Sequence, residues 1–194
     1  MSELHRREVV KGLLSNRGDT LVVTGLGQAT YDAFAAGDDP RTFYLWGAMG
    51  GALAIGLGLA IAQPEKRVLV VTGDGELLMG LGSLSVAGAE QPKNLAVIVL
   101  DNGRYGETGQ QATHTARGTD LAAMARAAGF RETFVAGDEA TLRDAIRIAR
   151  EGEGPVFVLI RISADPVPMV LPPKDGAYLK TRFRQAVVGD GAVG

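Results

Sequence analysis

Gly73-Asp74-Gly75 and, beyond residues 76–101, Asn102 are the positions of this chain whose types and spacing could do chemistry. A carboxylate and a carboxamide are oxygen ligands, and Mg²⁺ takes a few such protein oxygens before completing its shell with phosphate oxygens and water. Gly75 and the start of a helix behind it would turn backbone N–H groups towards the same phosphate. Two plainer readings compete. Gly-Asp-Gly triplets make ordinary hairpin turns, and a carboxylate at a strand end can cap the next helix without touching a metal. The flanking sequence separates these readings. Val68-Leu69-Val70-Val71 runs straight into the triplet, and the apolar stretch 95–100 runs straight into Asp101-Asn102. Two β-strands would deliver both side chains from their C-terminal ends, where open α/β sheets bind ligands.

The elements that must position these residues alternate along the chain. Val9, Val10, Leu13 and Leu14 fall at helical spacing in an opening helix that ends near Asn16 and Gly18. Strands are expected at 20–24, 42–45, 68–72, 95–100, 133–135 and 156–162. Helices are expected at 28–36, 51–62, 77–89, 121–128 and 139–150, with Thr119-Asp120 capping the fourth. Residues 103–118 read as a long loop that carries Glu107, Thr108, Gln110, Gln111 and His114, and a loop of this size in a compact domain usually has a function. Strands that are continuously apolar and alternate with helices indicate a parallel sheet covered on both faces. After Ile162, Pro166, Pro168, Pro172 and Pro173 interrupt an apolar segment. The sequence therefore divides into a domain at 1–165 and a Pro-rich segment at 166–194, which is either a tail over its own sheet or a subunit-contact arm.

Composition narrows the chemistry. With 46% apolar and 22% charged residues and a net charge of −2, the chain is that of a globular protein with no cationic surplus for nucleic acid. Zero cysteines exclude disulfides, thiolate zinc sites and iron–sulfur clusters on this chain. The longest candidate membrane segment, Gly51 to Ala62, is all apolar or glycine but has only 12 residues. A membrane span takes about 20, so a buried helix and a cytoplasmic protein are expected. A dinucleotide fingerprint is a poor fit. Gly25-Leu26-Gly27 supplies half of it, but position 30 is Thr and no acidic residue ends the second strand.

The Asp74–Asn102 arrangement resembles the diphosphate-binding motif of thiamine diphosphate enzymes, and three further stretches agree with it. Thr24-Gly25-Leu26-Gly27-Gln28-Ala29-Thr30 resembles the strand and phosphate loop of that family. Trp46-Gly47-Ala48-Met49-Gly50 is similar to the segment that holds the cofactor's pyrimidine. Residues 100–110 resemble the second half of the metal motif in sulfopyruvate and phosphonopyruvate decarboxylases. The resemblance covers roughly residues 15 to 165, one diphosphate-binding domain. It implies a three-layer α/β/α fold with a mostly parallel six-stranded sheet, and thiamine diphosphate and Mg²⁺ as cofactors.

The resemblance also implies roles. Asp74, Asn102 and the backbone carbonyl of Arg104 would ligate the metal. Gly27, Gln28, Thr30, Gly73, Gly75 and Tyr105 would surround the diphosphate, with Glu76 turned away to serve the helix N-terminus. Asp101 would orient the loop. Met49 would wedge beneath the cofactor and force its two rings together, with the Gly47 carbonyl accepting from the pyrimidine amino group. An isolated methionine is otherwise usually core. Glu107 and His114 would face the substrate from the closing loop, although His114 could equally be a plain exposed residue. Arg104 and Arg117 are candidate partners for an anionic substrate group.

What the chain lacks bears on its architecture. In this family a glutamate from a second sheet domain activates the pyrimidine, and 194 residues leave no room for that domain. The resemblance is thus to the separately encoded β subunit of a two-chain sulfopyruvate decarboxylase, which takes a small anionic 2-oxo acid to an aldehyde and CO₂. A pyrimidine-binding α subunit would be its partner, self-association is expected, and no role with nucleic acid or membrane is implied. Two alternatives stay open: half of an acetolactate synthase-like carboligase, and a non-catalytic cofactor-binding module.

Overall fold

Aliphatic and β-branched runs with no polar alternation have no wet face to offer, so they form strands packed on both sides. In the computed structural model, which describes residues 3–189, six strands pair in parallel throughout, the four central ones being such runs. They are β1 (Leu21–Thr24), β2 (Thr42–Tyr44), β3 (Val68–Gly73), β4 (Leu95–Asp101), β7 (Glu132–Ala136) and β8 (Val156–Arg161), in the order β2-β1-β3-β4-β8-β7. A two-stranded hairpin, β5 (Arg104–Tyr105) with β6 (Gln111–Ala112), stands apart from this sheet. The helices are α1 (Arg6–Leu14), α2 (Gln28–Ala35), α3 (Ala52–Ala62), α4 (Asp74–Met79), α5 (Ser83–Glu90), α6 (Leu121–Ala127), α7 (Glu139–Glu151) and α8 (Gly176–Val188).

Alternate residues of each strand feed opposite cores. Val22, Leu69, Val71, Ala96 and Ile98 pack with α1, α2 and α7, whereas Val23, Val68, Val70, Val97 and Val99 pack with α3, α5 and α6. This is the three-layer α/β/α fold that the resemblance implies. After β1 the chain steps outward to β2, then returns on the other side of β1 to β3. The C-terminal ends of β1 and β3 therefore flank a topological switch point, the place where such sheets bind ligands. No helix among the described residues is long and apolar enough to cross a membrane.

Three elements differ from the sequence reading. The helix expected at 77–89 is two helices, broken at Gly80-Leu81-Gly82, because Gly80 backs directly onto the Gly50 carbonyl. The expected loop 103–118 is the β5–β6 hairpin followed by a 3₁₀ turn at Thr115–Arg117. Residues 176–188 form α8, which returns to the edge of its own sheet. There Leu179 is buried, Phe183 meets Phe43 at 5.5 Å between ring centroids, and Arg182 pairs with Asp38 at 2.7 Å. Residues 190–194 of the Pro-rich segment lie outside the described residues.

Small residues in α3 and α5 let these helices sit tight on their neighbours. A Cβ at Gly88 would collide with the main-chain carbonyl of Ala128, which cannot move aside as a flexible side chain could. Gly88→Ala is therefore expected to cost about 1–3 kcal/mol of stability by overpacking. Gly58, in α3, has nothing within 4 Å of its would-be Cβ. Gly58→Ala should instead gain roughly 0.8–1 kcal/mol from helix propensity alone. Urea denaturation of the two variants is the check, and equal effects would contradict the close α5–α6 approach.

Candidate functional site

Strand ends at the switch point build one cavity of about 320 Å³. From β3 and α4 come Gly73, Asp74, Gly75, Glu76 and Met79; from the end of β4 and the hairpin come Asn102, Arg104, Tyr105, Gly106, Glu107 and Thr108. The turn after β1 supplies Leu26, Gln28 and Ala29, and Met49 enters from the turn before α3. Asp74, Asn102 and Met49, far apart in sequence, thus share one cavity.

Asp74 opens α4 and is 2% exposed. Its Oδ2 accepts from the hydroxyl of Thr113 and from that of Thr115 at 3.0 Å. Burial pushes its carboxyl above the ordinary aspartate value, the nearby Asp101 charge adds to the rise, and the threonine and Gly75 N–H bonds oppose it. Asp101 accepts from Thr115 Oγ1 at 2.8 Å and from Gly103 N at 3.1 Å, so it orients the hairpin entry as expected. Asn102 Oδ1 accepts from Arg104 N at 2.9 Å, and its Nδ2 donates to Gln28 Oε1 at 3.3 Å. The end of β4 is thereby joined to the turn after β1.

Tyr105 packs against Gly75, where a Cβ would come within 2.5 Å of the ring carbon Cε1, so any larger residue would displace the ring. On the far side, Glu107 covers Gly27, whose φ of +79° starts α2, and accepts from Tyr31 Oη at 3.4 Å. Burial first, then the Glu107 charge, raises the Tyr31 pKa. Gly27 itself does not line the cavity, nor does the exposed Gly47.

Three expectations are corrected. Thr30 is fully buried, and its hydroxyl serves Thr24 and, at 2.9 Å, the carbonyl of Gly25, so it has no face towards the cavity. His114 is exposed and, like Arg117, outside the cavity lining. Glu76 does not serve only its own helix: it is 5% exposed, and its Oε1 accepts from Gly50 N at 2.8 Å and Ala52 N at 3.3 Å, at the start of α3.

Two features were missed in the sequence. Thr113 and Thr115, which bond Asp74, flank the exposed His114 where the hairpin passes into the 3₁₀ turn, and no local pattern in the sequence singles them out. Arg6 lines the cavity from α1 and is buried in an ion pair with Asp32, while its Nη1 reaches the Gln28 carbonyl at 3.3 Å. Burial raises the Asp32 pKa against the opposing pull of Arg6 and Arg7. Nothing in the spacing of Arg6 pointed there.

The donor set suits a diphosphate with its cation. No group of three His, Cys, Asp or Glu side chains able to hold a metal lies among the described residues. A cation here would rest on one carboxylate, one carboxamide and a main-chain oxygen, the sparse oxygen set that Mg²⁺ accepts when phosphate completes its shell. Both α2 and α4 begin at glycines, so no N-cap side chain takes their first N–H groups.

Comparison with known proteins agrees with this geometry. The family model described as thiamine pyrophosphate enzyme, C-terminal TPP binding domain, matches residues 25–160. Sulfopyruvate decarboxylase subunit beta of Methanothermobacter thermautotrophicus is 37% identical over 186 residues, 96% of this chain and 97% of that one. Phosphonopyruvate decarboxylase of Streptomyces viridochromogenes is 38% identical over 170 residues, 87% of this chain but 42% of the longer relative. A solved structure from Mycobacterium smegmatis, described as a thiamin diphosphate-dependent enzyme, superposes with a TM-score of 0.72 at 20% identity, over 84% of this chain and 32% of that one. The last shows a shared fold only. Since the family match covers more than half of the chain, from the turn after β1 into β8, and includes Met49, Asp74 and Asn102, this chain belongs to the thiamine pyrophosphate enzyme family, as a C-terminal TPP-binding domain.

Proposed function

We infer that this chain is the diphosphate-binding subunit of a two-chain, thiamine diphosphate-dependent 2-oxo acid decarboxylase of the sulfopyruvate decarboxylase kind. The observation that carries the reading is the convergence of Asp74, Asn102 and Met49 on one cavity, in a chain that aligns end to end with a beta subunit of that enzyme. When bound, thiamine diphosphate supplies the electron sink that lets a 2-oxo acid lose CO₂. The chain's own part is to hold and orient. Asp74, Asn102 and the Arg104 carbonyl would hold Mg²⁺, and Gln28, Gly75 and Tyr105 would line the diphosphate. Glu107 and Arg104, at the exposed mouth of the cavity, would meet the anionic substrate. The activating glutamate would come from a pyrimidine-binding partner, and the cytoplasm is the setting this reading assumes.

Co-expression with a pyrimidine-binding chain, followed by a screen of sulfopyruvate, phosphonopyruvate and pyruvate, tests the reading. Aldehyde with equimolar CO₂ is expected. A hydroxyketone joined through a new C–C bond would identify a carboligase, and no turnover of any 2-oxo acid would leave a binding module.

Met49 is 39% exposed at the cavity wall, so it is not the core methionine that its type alone would suggest. A side chain beneath the cofactor acts by orientation, and misplacement by about 1 Å can cost ~10²-fold in rate. Met49→Ala in the reconstituted enzyme is expected to lower kcat by about that factor, with a smaller change in cofactor affinity. Weak binding with normal turnover at saturation would assign Met49 to packing.

A further inference from the structure

We propose that Glu76 is a positioning residue whose buried carboxylate holds the turn at 47–51, and with it Met49, at the cavity wall. The proposal rests on the reading of Met49 as the side chain beneath the cofactor. It starts from an unusual commitment of charge. Glu76 is buried, yet none of the ion pairs among the described residues includes it. A buried carboxylate is tolerated only where hydrogen bonds replace its water. Here Oε2 accepts from the Thr72 hydroxyl, and Oε1 accepts from Gly50 N at 2.8 Å and Ala52 N at 3.3 Å. Two of the three donors are therefore main-chain groups on either side of one turn.

That turn needs an outside hold. Met49 lies between two residues in the left-handed region, Ala48 at φ +57° and Gly50 at φ +90°. For Gly50 this is easy, but alanine adopts it at a cost, so the turn would relax if released. Its internal bond runs from Gly51 N to the Ala48 carbonyl at 2.9 Å. The start of α3 carries no side-chain cap of its own. Glu76 fills that vacancy from another helix, and the positive end of the α3 dipole offsets its charge.

The placement has a consequence for the site. Glu76 sits two residues after Asp74 in the same first turn of α4. The far end of α4 meets the turn as well, since a Cβ at Gly50 would lie 2.6 Å from Gly80 N. One short helix thus grips the diphosphate end of the cavity through Asp74 and the Met49 wall through Glu76 and Gly80. The negative charge beside the proposed diphosphate is spent on geometry.

Amide hydrogen exchange on the protein without cofactor or metal isolates the tether. In Glu76→Ala, Gly50 and Ala52 are expected to exchange roughly 10- to 100-fold faster, the range for losing a hydrogen bond to a charged group. Val70 and Val97, in β3 and β4, should keep their wild-type rates. Glu76→Gln retains an acceptor and should restore most of the protection at Gly50. Should Glu76→Ala fail to fold, Thr72→Val removes only the hydroxyl on Oε2 and is expected to speed the same two amides by a smaller factor. Unchanged exchange at Gly50 and Ala52, or equal acceleration at Val70 and Val97, overturns the proposal. In the reconstituted enzyme Glu76→Ala should lower kcat more than cofactor affinity. If Met49→Ala is slow but Glu76→Ala turns over normally, the positioning role is wrong; if Met49→Ala is itself normal, the reading of Met49 has failed instead.

Discussion

Asp74→Ala and Asn102→Ala are each expected to weaken Mg²⁺-dependent thiamine diphosphate binding by at least ~100-fold, because changes one shell further from a metal already cost 10–100-fold. The fold should survive both. Asp74 heads α4 at the cavity rather than lying between sheet and helices, and the hydroxyls left behind, Thr113 Oγ1 and Thr115 Oγ1, already bond each other at 2.8 Å. Removing a carboxyl whose pKa is raised by burial also removes a desolvated charge. Asn102→Ala loses the bonds to Arg104 N and Gln28, both at the rim. Asp74→Asn is the sharper variant. It keeps an acceptor for the two threonines while removing the one charged side chain of the proposed ligand set, so it separates metal binding from hairpin docking. Calorimetric titration of cofactor, with and without Mg²⁺, on variants that melt near the wild-type temperature is the measurement. Unchanged affinity in both alanine variants would remove the metal assignment.

Asp74 and Asn102 were readable in the sequence because each follows an unbroken apolar run. Such a run has one physical use in a domain this size, a strand buried on both faces, and the residue after it must emerge at the sheet's edge of solvent. The same logic found the four central strands and the two-faced sheet, whereas the edge strands β2 and β7 are short and only partly buried. It failed where a contact depends on residues remote in sequence. The break between α4 and α5 comes from Gly80 meeting Gly50, which no local pattern in 77–89 reveals. Thr30 lies beside Gln28 in sequence but faces the interior, since the helix turns successive residues through different directions. Glu76 looked like an acidic first-turn residue because it is one; that its carboxylate reaches α3 is a tertiary fact. Thr113 and Thr115 reach Asp74 because the hairpin folds back and enters a 3₁₀ turn, which is again a contact between residues remote in sequence.

The chain on its own is expected to give no measurable decarboxylation of any 2-oxo acid, and not to remain a monomer. The carboxylates that line the cavity are Asp74, Glu76 and Glu107. The first is held by Thr113 and Thr115 and the second by Gly50, Ala52 and Thr72, while Glu107 stands over Gly27 with Tyr31. None is placed as a spare acid facing the Met49 wall, in keeping with the proposal that the activating glutamate arrives on another chain. The surface next to that wall is made for company. Met79 is 63% exposed and Ile61 56%, and Ile55, Val86 and Met124 are exposed on the neighbouring α3, α5 and α6. Large apolar side chains gathered on adjacent helices are unusual on monomers and mark interaction surfaces. A closed two-fold assembly would cover them, with the pyrimidine-binding partner completing each cavity. Light scattering and a CO₂-release assay on the purified chain decide both halves together. A homodimer that binds thiamine diphosphate without turnover, and gains activity on adding the partner, supports the arrangement. A monomer that decarboxylates unaided would mean that no partner glutamate is needed and that Glu107 of this chain takes its place.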